Sequence, residues 1–95
     1  MTVTVLGRED CSSCEQAKEL LARLAPEYGL EVRVMDFNSP EGERLALSGG
    51  LMFPPGILIE GQPFSYGRLS EGKLRRELER RSQQGAPPRR PNQGA

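Results

Sequence analysis

The sequence predicts an α/β domain, a four-stranded mixed sheet flanked by helices in the order β-α-β-α-β-β-α. Three observations predict it. Short β-branched runs alternate with stretches whose apolar residues recur at helical spacing. Gly, Pro and Ser fall where helices should start and stop. The first two strand-like runs are separated by a helical stretch, whereas the last two meet directly at Glu60-Gly61. A strand–helix–strand unit gives a parallel pair by right-handed crossover, and a tight hairpin gives an antiparallel one, so the sheet must be mixed.

Residues 2–6, Thr-Val-Thr-Val-Leu, read as the first strand, broken by Gly7 to Asp10. From Cys11 to about Ala25, the residues Cys14, Ala17, Leu20, Leu21 and Leu24 form one apolar helical face, and Pro26 and Gly29 mark its end. Residues 30–37 alternate over their first five positions and read as the second strand. Ser39-Pro40 is a helix start, with Ser as N-cap and Pro at the first helical position, and Gly49-Gly50 stops that helix after about Ser48. Ile57 to Ile59 form the third strand and Pro63 to Tyr66 the fourth. Ser70 caps a last helix to about Arg81, with Leu69 and Leu74 spaced as a hydrophobic staple and Leu74 and Leu78 facing inward. The expected domain is therefore 1–81. Residues 82–95, rich in Pro, Arg and Gln, hold no core-forming side chain and are expected to form a disordered tail.

Composition narrows function. The 95 residues carry a formal net charge of +0, which disfavours nucleic-acid and membrane-surface binding, since both call for surplus cations. No apolar run approaches the roughly 20 residues of a membrane span. The N-terminus shows no basic-then-apolar leader pattern, so a cytoplasmic location is expected, and the protein is separately expected to be a monomer. Two cysteines are too few for a stapled secreted scaffold.

Those two cysteines are the chemical signal. Cys11-Ser12-Ser13-Cys14 has redox spacing and falls where a strand gives way to a helix. A helix N-terminus offers unpaired N–H groups and about half a positive charge, and both stabilise a thiolate, the reactive form of cysteine. Cys11 at the mouth of the helix is expected to be the nucleophile, and Cys14, one turn in, the resolving thiol. Glu9, Asp10 and Glu15 oppose a second negative charge, with Arg8 as the only close cation, so the Cys11 thiolate should be favoured less than in strongly oxidising relatives. Three other readings of the pair stand beside this one. They are half a zinc site completed across a dimer, a buried structural pair, and a shared iron–sulfur cluster. With no His in the chain, Ser12 and Ser13 cannot belong to a Ser-His triad. Gly49-Gly50 lacks the lysine of a phosphate loop, and Asp36 and Glu60 are isolated acids. Arg75, Arg76, Arg80 and Arg81, interleaved with Glu77 and Glu79, read as a solvated helix face, with a partner-docking patch as the alternative.

Phe53-Pro54-Pro55-Gly56 precedes the third strand, where proline can open a strand but not occupy its middle. Taken alone, the base rate favours a trans bond there. With this stretch added, residues 2 to about 81 resemble the glutaredoxin-like branch of the thioredoxin superfamily. The resemblance rests on the Cys-x-x-Cys helix, the proline before the third strand and the glycine hairpin. It implies the thioredoxin fold, reduction of protein disulfides through the Cys11–Cys14 pair, and no bound cofactor beyond that redox-active disulfide. It also implies a cis-proline beside the nucleophile, placed at Pro55 by its spacing to Gly61, with Pro54 the alternative. Arg8, Ser12, Ser13, Pro54, Pro55, Gly67 and Arg68 are the implied substrate-binding residues.

Glutathione-using members of the branch resemble one another in a Pro-Tyr pair between the cysteines and an aspartate pair after the fourth strand. This chain has Ser12-Ser13, and Gly67-Arg68-Leu69-Ser70 carries no acid. Pro54 also lacks the N–H that the residue before the cis-proline usually donates to the thiol partner. Protein disulfides are therefore the expected partners. Recharging falls to a thioredoxin reductase-like enzyme or to glutathione. A glutathione-dependent glutaredoxin, and a non-catalytic or metal- or cluster-binding adaptor on the same fold, are the alternatives.

Overall fold

The computed structural model describes residues 1–85. Seven elements follow in the expected order: β1 (Thr2–Gly7), α1 (Ser12–Tyr28), β2 (Glu31–Asp36), α2 (Pro40–Gly49), β3 (Gly56–Ile59), β4 (Gln62–Tyr66) and α3 (Glu71–Gly85). The strands lie in the order β2-β1-β3-β4. β1 runs parallel to β2, with Thr2 opposite Glu31 and Gly7 opposite Asp36. β3 is antiparallel to both β1 and β4. The sheet is mixed because a helix joins β1 to β2, whereas only Glu60-Gly61 joins β3 to β4. Both turn residues have positive φ, 51° and 77°, which matches the right-handed twist of the flanking strands.

Strand alternation sorts the core onto the two faces of the sheet. Val3, Val5, Ile57 and Ile59 face α1 and α3, where they pack with Ala17, Leu20, Leu21, Leu24, Leu74 and Leu78. Leu6 and Leu58 point the other way, toward α2, and meet Ala46 and Leu51. All four residues of β3 are buried because this central strand is covered on both faces. β2 sits at the sheet edge and stays largely exposed, with Val32 and Met35 half-buried and Val34 exposed.

The helix boundaries follow their caps. Ser39 Oγ accepts from the Gly42 N–H at 3.0 Å and opens α2. Ser70 Oγ accepts from the Lys73 N–H at 3.3 Å and opens α3, and Leu69 packs against the same cluster as Leu74. Two boundaries differ from expectation. Pro26 does not end α1, which continues to Tyr28 and closes at Gly29, whose N–H donates to the Ala25 carbonyl. Pro26 is exposed and sits in the last turn, so its missing N–H costs little against the packing of Leu20, Leu21 and Leu24. α3 does not stop at Arg81 but runs to Gly85, so Ser82 to Gly85 are helical and not tail. A solvated helix end needs no apolar residue to continue, and Arg80 and Arg81 both pair with Glu77 one turn back. The rest of the expected tail, 86–95, lies outside the described residues.

Candidate redox site

The site is built where β1 hands over to α1. Asp10 takes a left-handed conformation, φ 55°, and turns the chain so that Cys11 becomes the N-cap of α1. Cys11 Sγ occupies the place a Ser or Asp oxygen usually fills and accepts from the Cys14 N–H at 3.2 Å. Its carbonyl accepts from the Glu15 N–H at 3.1 Å. Cys11 and Cys14 are joined as a disulfide, with Cα atoms 5.2 Å apart. Their surroundings are unequal. Cys14 is fully buried, whereas Cys11 is only half-buried. The outer residue keeps part of its surface in solvent and the inner one keeps none.

Gly7 makes room for the inner sulfur. A Cβ built on Gly7 would lie 3.4 Å from Cys14 Cβ and 3.5 Å from Cys14 Sγ, so any longer side chain there would press on the disulfide. Gly7 is also the key to the proline stretch. Leu6 pairs with Gly56 across β1 and β3, so the antiparallel register brings Pro55 level with Gly7, on the strand beside the disulfide end of β1. The Pro54–Pro55 bond is cis. Gly67, just past β4, donates its N–H to the Pro55 carbonyl at 2.9 Å and ties the far strand to the same end of the sheet. Its φ is 77°, and Phe53 Cε1 lies only 2.9 Å from where a Cβ would stand. Phe53 meets Tyr66 edge to face, with ring centroids 5.0 Å apart.

The remaining expected residues do not all converge. Ser12 and Ser13 form the first turn of α1, next to the disulfide. Arg8 lines a groove of about 240 Å³ with Gly7, Glu9, Glu15, Met35 and Asp36. Arg68 lies on a different cleft, between β4 and α3. Several residues of the site were not singled out from the sequence. Gly7 read only as a strand stop, and Phe53 and Tyr66 are partnered by folding alone. Lys18 joins Arg8 on its groove and pairs with Glu15 at 2.8 Å. The i, i+3 spacing of Glu15 and Lys18 was the available signal.

Residues 2–79 match the family described as Glutaredoxin-like domain (DUF836). The chain belongs to this family. Relatives of this glutaredoxin-like domain include uncharacterized proteins of Mycobacterium bovis and Mycobacterium tuberculosis, each 32% identical over 89 residues, covering 90% of either chain. Solved structures of similar shape are thioredoxins. A mutant thioredoxin of Halobacterium salinarum gives a TM-score of 0.63 at 19% identity, over 83% of this chain and 72% of that one. Thioredoxin 1 of Thermosipho africanus gives 0.57 at 17% identity, over 83% and 96%. These likenesses establish the thioredoxin fold. The site on that fold is a cysteine pair at disulfide distance, which points to a redox function. Among the described residues, no helix is long and apolar enough to cross a membrane.

Proposed function

We propose that this glutaredoxin-like domain is a dithiol reductase of protein disulfides, with Cys11 as nucleophile and Cys14 as resolving thiol. The observation that carries the reading is the unequal exposure of two bonded cysteines at one helix N-terminus. In the reduced protein, the Cys14 N–H and the positive end of α1 favour a thiolate on Cys11. That thiolate attacks one sulfur of a substrate disulfide, a Cys11–substrate bond forms, and the other substrate sulfur leaves as a thiolate. Cys14, deprotonated, then attacks Cys11 Sγ. The second substrate thiol is released and the Cys11–Cys14 disulfide forms. Two electrons pass from the domain to the substrate, and an external two-electron donor, a thioredoxin reductase-like enzyme or glutathione, restores the dithiol.

Protein partners are favoured over glutathione because Gly67-Arg68-Leu69-Ser70 offers no carboxylate to a glutathione amine. The test is substitution of each cysteine in turn. Cys14→Ser should accumulate mixed disulfides on Cys11, and Cys11→Ser should abolish reduction of a protein disulfide such as that of insulin. Accumulation through Cys14 in Cys11→Ser would reverse the roles. A wild-type domain inert toward protein disulfides but active in a glutathione-coupled assay would install the glutaredoxin alternative.

A further inference from the structure

The cleft between β4 and α3 is separate from the cysteine pair. It encloses about 500 Å³, within the range of ordinary ligand sites. Two features define it. The first is charge. α3 presents Lys73, Arg76, Glu77 and Arg80 to the cleft at helical spacing, and Arg68 faces it from the connection to β4. Glu77 is held below the usual carboxylate range by hydrogen bonds from Arg80 and then Arg81, so its charge is already answered within the helix. Arg68, Lys73 and Arg76 have no ion pair among the described residues, which leaves three cations facing the cleft. The chain as a whole is neutral, so this surplus is local.

The second feature is the strand. Phe64, Ser65 and Tyr66 line the cleft consecutively. Strand alternation is broken here, because the register of β4 against β3 shifts at Phe64, between Pro63 opposite Leu58 and Ser65 opposite Ile57, so consecutive residues reach the same cleft. β4 is an edge strand, bonded to β3 alone. Pro63 and the irregularity at Phe64 blunt this edge against a further strand, so β4 serves as one wall of the cleft.

We propose that this cleft docks an acidic segment of the protein whose disulfide is reduced, with its carboxylates on Arg68, Lys73 and Arg76. The inference rests on the dithiol-reductase reading for the identity of the partner. The direction of the cleft suits that role. Tyr66 pairs with Gly56 and Gly56 with Leu6, so the Tyr66 end of β4 lies two strand spacings, about 10 Å, from the strand that abuts Cys14. A segment laid along β4 leads toward the disulfide.

The probe is a short, fluorescently labelled, glutamate-rich peptide with no cysteine, titrated into the wild-type domain and followed by anisotropy. Binding should occur at low ionic strength and fade as salt is added. The double variant Lys73→Glu with Arg76→Glu should bind at least about tenfold more weakly, the combined worth of a few exposed ion pairs. Lys73→Gln with Arg76→Gln should fall between, and Arg44→Glu, a single charge reversal out on α2, should bind as wild type. Circular dichroism verifies that each variant is folded. Failure of the wild type to bind, equal binding by the double reversal, or tighter binding of a charge-matched single-stranded oligonucleotide overturns the proposal. Because the peptide has no cysteine, these outcomes leave the redox reading standing. Peptide binding without any reduction of protein disulfides would instead sink the redox reading and the partner's identity with it.

Discussion

Gly67 and Gly61 share a φ of 77°, but their surroundings differ, and that difference makes a measurable prediction. Nothing lies within 4 Å of a Cβ built on Gly61. Gly61→Ala therefore carries only the left-handed penalty, roughly 1–2 kcal/mol, reduced by about 0.4–1 kcal/mol through the stiffer unfolded chain. The net cost should be no more than about 1.6 kcal/mol. At Gly67 the same methyl would stand 2.9 Å from Phe53 Cε1 and 3.4 Å from Cζ, inside the roughly 3.5–4.0 Å at which carbon atoms rest. The half-exposed Phe53 ring can swing away, but only by giving up its edge contact with Tyr66, worth about 0.5–1.5 kcal/mol. Gly67→Ala should thus cost about 1 kcal/mol more than Gly61→Ala. Urea denaturation of the oxidised domain measures both. Repeating the pair in a Phe53→Ala background should erase the excess. Equal costs at the two glycines, or an excess that survives removal of the ring, would refute the packing described at the proline end of the site.

Two further outcomes follow from the core and the charges. Leu74→Ala empties a fully buried position shared by α1, α3 and the sheet. It should lower stability by about 2–5 kcal/mol in chemical denaturation, while the exposed Leu47→Ala should change it by no more than about 0.5 kcal/mol. Glu77 and Glu71 both sit below the ordinary carboxylate value, Glu77 through Arg80 and then Arg81, and Glu71 through Arg75 and then Arg23. Their contributions are in place above the unfolded-state value of 4.5 and are lost as pH falls through the lower folded values. The melting temperature should drop on acidification below about pH 4.5, and Glu77→Gln should flatten that fall; an unchanged acid profile in the variant contradicts the assignment.

Element order and the cysteine pair were legible in the sequence because they rest on local rules. Cys11 at a helix start, Ser39 and Ser70 as caps, and the Glu60-Gly61 turn are each fixed by a few neighbouring residues, and the alternation of Val3, Val5 and Leu6 assigns faces to a strand without knowledge of the rest. What escaped depends on contacts between distant segments. Gly7 matters because α1 returns over it, and Phe53 reaches Gly67 only after β4 is paired. The basic residues of α3 illustrate the same limit. They read as one solvated face, yet Arg75 reaches Glu27 at 2.7 Å and stitches α3 to α1, Arg80 and Arg81 answer Glu77, and Arg76 is left facing the cleft. Helical spacing sets Arg81 beside Glu77, whereas the pairing of Arg75 with Glu27 on another helix follows only from the packing.

The central claim is that one sulfur meets the partner while the other waits behind it. Complete reduction of the wild-type domain, a brief pulse of iodoacetamide and peptide mapping by mass spectrometry read that asymmetry directly. Label should appear on Cys11 well before Cys14. Equal labelling of the two, or label first on Cys14, would contradict the account.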